Sequence, residues 1–309
     1  MSRRSWIALS LLALSVCFTL GSKADAVEFK TAILRNAIIW QTDYYEAYRT
    51  AQHDKKLLLI YFDPHPPIRT TGMATGTTDD AIDRTLAATE DRERLADYVF
   101  ARLPLNVTIA ENSKPVRLVD HPAFADIRNG GGLAIIDLAH PNTPYYTFVV
   151  SALPLSNGKY YRFHPEYVPV LLDLPEGTLT QRTMIFAVRI HPESPASTRS
   201  KQSPILSDEA ASHSHYQAQI GVQGHHQWES RFQRIISRLF GRGTPALPKE
   251  IVAESWPNQN LIDSCIDCVD SWRQSSGHWA AVKSTHDSYG YDIQRGSNGI
   301  WYATGIFAN

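Results

Sequence analysis

A short apolar run near residue 60 constrains the fold of this chain more than any other feature. Residues 57–62 read Leu-Leu-Leu-Ile-Tyr-Phe, after Lys55-Lys56 and before Pro64. A run of this length, bounded by charge and proline, is typical of a strand that is buried on both faces. Such a strand needs helices on each side of its sheet, so the run predicts an α/β domain.

Helical and strand patterns alternate on both sides of this run. The patterns predict a helix carrying Trp40 to Ala51, a helix over 79–98, a strand over 99–107, a short helix near 123–128, strands over 133–136 and 145–152, and a helix over 178–190. The last helix begins with Thr178 and Gln181 at capping-box spacing.

This order of elements resembles a thioredoxin-like domain. In that family a Cys-x-x-Cys pair follows the buried strand, where a lowered thiol pKa permits disulfide exchange. Residues 63–69 contain no cysteine here, which excludes that chemistry. We expect residues 27–191 to form a redox-inactive thioredoxin-like domain that acts as a binding or spacing module. His65 in this loop is expected to be a solvated histidine, because no partner residue can be named for it.

Residues 192–206 predict a linker between two domains. The segment contains Pro192, Pro195, Pro204 and four serines, with no apolar periodicity. Proline and serine in this density favour an extended connection. A helix is then expected from Asp208, capped by Ser207.

The last third of the chain carries several motifs in a fixed order. They are His213-Ser214, His225, Lys249 to Ala253, Trp272 with Ser275 to His278, and Trp301 to Phe307. Together they resemble the bacterial branch of the CAP family, the SCP-like domains related to cysteine-rich secretory proteins, antigen 5 and plant pathogenesis-related proteins. The resemblance covers residues 207–309 and implies a CAP-type α-β-α sandwich. The fold class expected for the chain is therefore α/β with two domains.

The resemblance also implies a ligand groove lined by His213, His225, Glu250 and His278. Glu250 takes the place of the family's cavity glutamate, and His278 that of its second cavity histidine. Imidazole and carboxylate groups suit zinc, so His225 and His278, with Glu250, are candidate metal ligands. The other interpretation is a polar cluster that holds loops in place by hydrogen bonds. Sequence spacing leaves both interpretations open.

The function expected from these features is ligand or partner binding without catalysis. Candidate ligands are a cell-wall polymer, a lipid or an envelope protein. The alternative is a metal-dependent hydrolase of envelope peptide or glycan that uses Glu250 as base and His225 and His278 as ligands, with zinc as the candidate metal. Thirty Lys and Arg against 31 Asp and Glu give a net charge of -1, which argues against nucleic-acid binding.

Cys265 and Cys268 lie in a predicted helix over 258–272. Three cysteines in the whole chain exclude a disulfide-dense scaffold. Positions three apart in a helix favour packing of two small thiols in the core over a relaxed disulfide. A thiol-disulfide enzyme using this pair is the alternative.

The N-terminus predicts export. Arg3 and Arg4 precede the apolar stretch Trp6 to Leu20, and Ala24-Asp25-Ala26 supplies small residues for cleavage. This is the order of a signal peptide over residues 1–26, with an uncleaved anchor as the alternative. No later segment is apolar enough to span a membrane. We expect a bacterial periplasmic, envelope or extracellular protein.

Overall fold

The computed structural model describes residues 38–65, 78–89, 92–111, 113–240 and 247–309. Residues 38–309 form a single unit. The predicted signal peptide lies outside the described residues, as do residues 66–77 after the first buried strand. No helix in the described ranges is both long enough and apolar enough to cross a bilayer.

Helices and strands alternate along most of the chain. The helices are α1 (Tyr44–Asp54), α2 (Thr78–Ala88), α3 (Arg92–Ala96), α4 (Tyr167–Leu172), α5 (Leu179–Arg189), α6 (Pro204–Ile220), α7 (Trp228–Phe240), α8 (Leu261–Gln274) and α9 (Ser276–Lys283). The strands are β1 (Trp40–Gln41), β2 (Leu57–Asp63), β3 (Tyr98–Pro104), β4 (Thr108–Glu111), β5 (Lys114–Arg117), β6 (Gly132–Ile136), β7 (Val149–Pro154), β8 (Lys201–Gln202), β9 (Lys249–Glu254), β10 (Ser288–Arg295) and β11 (Trp301–Ala308).

The first sheet has the order β1-β3-β2-β6-β7. Strands β1, β3 and β2 are parallel, whereas β6 and β7 are antiparallel to their neighbours. In the central strand β2, Leu59 and Tyr61 belong to one core cluster, and Leu58, Ile60 and Phe62 belong to another. The prediction of a strand buried on both faces in an α/β fold is confirmed.

The second sheet has the order β8-β10-β11-β9 and carries helices on both faces. Ile306 packs in a cluster with residues of α6 and α7. The next residue, Phe307, packs in the cluster that contains α8. Successive residues of a strand point to opposite faces, so β11 contributes to a core on each side.

Helix α5 joins the two sheets. Every residue from Gln181 to Val188 is buried. The helix packs against β7 of the first sheet, β10 of the second sheet and α8. Its polar side chains find partners on both sides: Arg182 Nε donates to Ser151 Oγ in β7 at 2.8 Å, and Thr180 Oγ1 donates to Asp292 Oδ1 in β10 at 2.6 Å. One core cluster therefore includes residues of both halves of the chain.

The segment predicted as a linker has defined structure. Strand β8 pairs with β10, and Ser197 is buried with its Oγ 2.8 Å from Tyr291 Oη. Helix α6 begins at Pro204 after an N-cap at Ser203, so the expected cap at Ser207 is wrong. Proline at the first helical position favours this earlier start. The domain boundaries at 191 and 207 remain a prediction.

Two predicted helices have different bounds in the structure. Trp40 lies in β1, and the first helix begins only at Tyr44, where Asp43 accepts a hydrogen bond from Glu46 N. The helix predicted over 79–98 is replaced by α2 and α3, and Tyr98 already begins β3. The capping box at Thr178 and Gln181 forms as predicted.

The position of α5 predicts that both sheets unfold together. Phe186 is 2% exposed, so Phe186→Ala should lower the free energy of unfolding by about 3–5 kcal/mol through cavity formation. Denaturant unfolding followed by far-UV circular dichroism and by tryptophan fluorescence should show one shared transition for parent and variant. Phe148→Ala is the control, because Phe148 is 63% exposed. Two separated transitions would contradict a shared core.

Asp292 predicts a pH dependence of stability. Burial raises the pKa of its carboxyl to about 6, although hydrogen bonds from Thr180 and Gln294 oppose the shift. An acid with a raised pKa in the folded state stabilises that state below its unfolded pKa of 3.8, and this contribution disappears as the pH rises through about 6. In the parent protein, the contribution of Asp292 to the free energy of unfolding should fall by about 3 kcal/mol between about pH 4 and pH 7, and Asp292→Asn should abolish this change.

Chemical denaturation across this pH range measures the effect. Asp287→Asn, at an exposed carboxyl, controls for the loss of one charge. A constant difference in unfolding free energy between Asp292→Asn and the parent at every pH would disprove the prediction.

Candidate ligand-binding site

Glu250 is a buried carboxylate at the centre of the candidate site. It lies in β9 and its side chain is 1% exposed. Arg231 Nε of α7 donates to Oε2 at 2.6 Å, and His225 Nδ1 lies 2.9 Å from Oε1. His213 Nε2 of α6 lies 3.7 Å from Oε1. A carboxylate this deeply buried needs a charged partner, and Arg231 supplies it.

His213 is neutral in this environment. Burial lowers its pKa to about 4, although the nearby Glu250 carboxylate opposes the shift. Its Nε2 donates to Gly224 O at 2.9 Å. In the neutral ring the second nitrogen is then an acceptor. That atom, Nδ1, is buried and has no hydrogen-bond partner among the described residues.

Gln217 fixes the loop that carries His225. Helix α6 ends at Ile220 and is capped by Gly221, whose φ of 67° lies in the left-handed region that favours glycine. The buried side chain of Gln217 accepts from Gly224 N at 3.1 Å and donates to Thr304 Oγ1 in β11 at 3.0 Å. The loop is therefore held to α6 and to the second sheet just before His225.

His278 lies beside His225 on the exposed side of the cluster. The two ring centroids are 6.0 Å apart at an interplanar angle of 56°. Burial lowers the pKa of His278, and the neighbouring His225 lowers it further. His213, His225 and Glu250 thus share direct contacts, while His278 adjoins them only through His225.

Arg231 is the site residue that sequence reasoning missed. Its signal is the spacing of Arg231, Arg234 and Arg238, which places three guanidinium groups on one face of a helix. Arg234 donates to both carboxylate oxygens of Glu209. Its Nε lies 2.9 Å from Oε1 and 3.0 Å from Oε2, and its Nη2 lies 2.5 Å from Oε2. Arg238 donates to the same carboxylate at 2.9 Å. Burial alone would raise the pKa of Glu209, but these bonds outweigh it and hold the pKa below its usual range.

Two grooves lie near these residues. The first, here called the α6–α7 groove, has a volume of about 620 Å³. It is lined by Asp208, Glu209, Ser212, His213, Tyr216, Gln227, Arg231, Arg234 and Arg238. The second, the inter-sheet groove, has a volume of about 1390 Å³ and runs from Tyr98 and Tyr145 of the first half to Gln202 and Ala211. The lining of the α6–α7 groove includes His213 and Arg231 but not His225, Glu250 or His278.

The polar groups of the cluster are engaged in a hydrogen-bonded network. Both oxygens of Glu250 already contact other groups, and His213 Nε2 is bound to a carbonyl. Within residues 38–65, 78–89, 92–111, 113–240 and 247–309, no three His, Cys, Asp or Glu side chains are grouped to hold a metal ion. The site can instead form hydrogen bonds and ion pairs with a ligand.

The remaining candidate residues lie away from this cluster. Cys265 and Cys268 lie in α8, where both are fully buried in the core as free thiols. Burial raises the pKa of both thiols well above its usual range, which disfavours the reactive thiolate. His65 is exposed, and its backbone N donates to Asp63 Oδ1 at 2.7 Å.

Comparisons with known proteins found no match, so the site is interpreted from its geometry. No protein-family model matches the chain, and no curated protein matches it.

The environment of His213 predicts that its ring stays neutral in mildly acidic solution. In a ¹H–¹³C NMR titration its Cε1 proton should keep a constant chemical shift from about pH 8 to pH 5.5, since the folded pKa is about 4. The chain in denaturant is the control, because exposed imidazoles titrate near about pH 6.5. Protonation only in the unfolded state also predicts that stability falls as the pH drops from about 6.5 towards 4. A midpoint for folded His213 at about pH 6 or above would contradict the assignment.

Proposed function

We propose that this chain is an exported protein that binds a ligand of the bacterial cell envelope through the His–Glu cluster. This cluster is defined as His213, His225, Arg231, Glu250 and His278. The observation that carries the proposal is the buried Glu250 carboxylate, shared by Arg231 and His225 and flanked by His213. Such a network holds its side chains in fixed positions beside an open groove, which suits binding.

The arrangement of elements supports the two family resemblances. A sheet of order β1-β3-β2-β6-β7, with its last two strands antiparallel, is the arrangement expected of a thioredoxin-like domain. A sheet with helices on both faces, carrying Glu250 on a strand and His213 on a helix, is the arrangement expected of a CAP domain. The first domain then acts as a redox-inactive support for the second.

Binding is favoured over hydrolysis because Glu250 is already satisfied. A general base must be able to accept a proton from the reacting group. Here Oε2 accepts from Arg231, and Oε1 contacts His225. The Glu250 side chain is also only 1% exposed, so a substrate would have to reach a buried oxygen. Zinc-dependent hydrolysis of peptide or glycan would appear in the envelope assay as the release of soluble fragments.

Retention on isolated cell envelopes tests the proposal. Residues 27–309 should sediment with an envelope fraction, and His225→Ala should weaken retention at least about tenfold, equivalent to about 1.4 kcal/mol. His225 is the residue to change because its side chain is 45% exposed, which limits the effect on folding. His215→Ala is the matched control, because His215 is exposed on α6 and lies outside the cluster.

Two other results would overturn the proposal. Equal retention of parent, His225→Ala and His215→Ala would place binding elsewhere on the chain. Release of soluble peptide or glycan fragments that requires added zinc, and that is lost in His278→Ala, would establish the hydrolase in its place.

A further inference from the structure

The α6–α7 groove presents positive charge although its ion pairs are balanced. Arg234 and Arg238 have side chains that are 49% and 38% exposed. Their common partner Glu209 is only 4% exposed, and Glu250, the partner of Arg231, is 1% exposed. The carboxylates of Glu209 and Glu250 therefore lie behind the guanidinium groups, and a ligand in the groove meets Arg234 and Arg238 before them. Asp208, which also lines the groove, keeps an exposed carboxylate that is paired with Arg238.

The arginines keep donors available for a ligand. Each guanidinium has five N–H groups in a planar fork. Glu209 accepts from Nε and Nη2 of Arg234, and from Nη1 of Arg238. Asp208, which is exposed, accepts from Nη2 of Arg238 at 3.1 Å. The ion pairs hold both side chains in place, so little side-chain entropy is lost when a second anion binds.

The wall of the groove also contains a hydrogen-bond acceptor that has no donor. His213 lines it, and its buried Nδ1 is an acceptor without a partner among the described residues. A buried polar atom of this kind is costly until a donor reaches it. Tyr216 lies beside it with its ring nearly parallel to the imidazole, at an interplanar angle of 16° and a centroid distance of 6.5 Å. A flat aromatic wall next to an unsatisfied acceptor suits a hydroxylated ring.

We propose that the α6–α7 groove binds an acidic polysaccharide. Its carboxylates pair with Arg234 and Arg238, and a ring hydroxyl donates to Nδ1 of His213. Every unit of a uronic acid chain carries a carboxylate and hydroxyls on one ring, so it meets both requirements. An acidic peptide side chain supplies the charge without the hydroxyl. This inference rests on the proposed function and names the class of envelope polymer.

Binding to defined polymers tests the inference. Residues 27–309 are titrated by calorimetry with polygalacturonate, neutral dextran and poly-glutamate. Polygalacturonate should bind, and its affinity should fall with added salt because exposed charges are screened. Poly-glutamate should bind at least about tenfold more weakly, and dextran should give no measurable heat. Equal affinity for poly-glutamate, or no binding of polygalacturonate, overturns the inference.

A negative charge introduced into the α6–α7 groove tests whether the polymer binds there. Ser212 is exposed and lines the groove, so Ser212→Glu adds a carboxylate without removing a partner of Glu209. Its affinity for polygalacturonate should fall at least about tenfold. Ser271→Glu is the matched control, since Ser271 is exposed on α8 outside the groove lining. Equal affinity of the two variants would overturn the assignment to this groove.

The envelope assay separates this inference from the proposed function. Envelope retention that depends on His225, without binding of polygalacturonate, would disprove the acidic glycan and leave the proposed function standing. Binding of polygalacturonate that is lost in Ser212→Glu, without retention on envelopes, would support the glycan site and disprove the envelope role.

Discussion

Complete burial of one helix is the constraint on which the rest of the structure depends. Helix α5 has no solvent-exposed residue between Gln181 and Val188. A helix buried on all sides must be packed by several elements at once, and here β7, β10 and α8 provide that packing. Its buried Arg182 and partly buried Thr180 are tolerated because Ser151 and Asp292 accept their hydrogen bonds.

The same contacts position the candidate site. Asp292 accepts from Thr180 through its side chain and from Ser214 Oγ through its carbonyl, so β10 connects α5 to α6. Ser214 adjoins His213, and Gln217 one turn later holds the loop before His225. The first half of the chain therefore contributes to the site by supporting β10 and α6 through α5.

The order of residues in the sequence was enough to predict individual strands and helix caps. The buried strand at 57–62 and the capping box at Thr178 follow from residue order alone. The resemblance placed His213, His225, Glu250 and His278 in one groove. In the structure Glu250 contacts His213 and His225, and His278 lies beside His225. The structure was needed for Arg231, because its role depends on α7 crossing near β9. The packing of α5 depends on tertiary contacts too, which override local propensity. The early start of α6 instead follows from local signals, the N-cap at Ser203 and the proline at position 204.

A ligand that binds beside His213, rather than in the larger inter-sheet groove, should protect a distinct set of backbone amides. Hydrogen–deuterium exchange of residues 27–309, with and without a bound envelope polymer, tests this directly. Slower exchange is expected in the peptides that cover the end of α6, the loop to His225 and β9. Slower exchange confined to the peptides around Tyr145 and Gln202, with no change near His213, would contradict it.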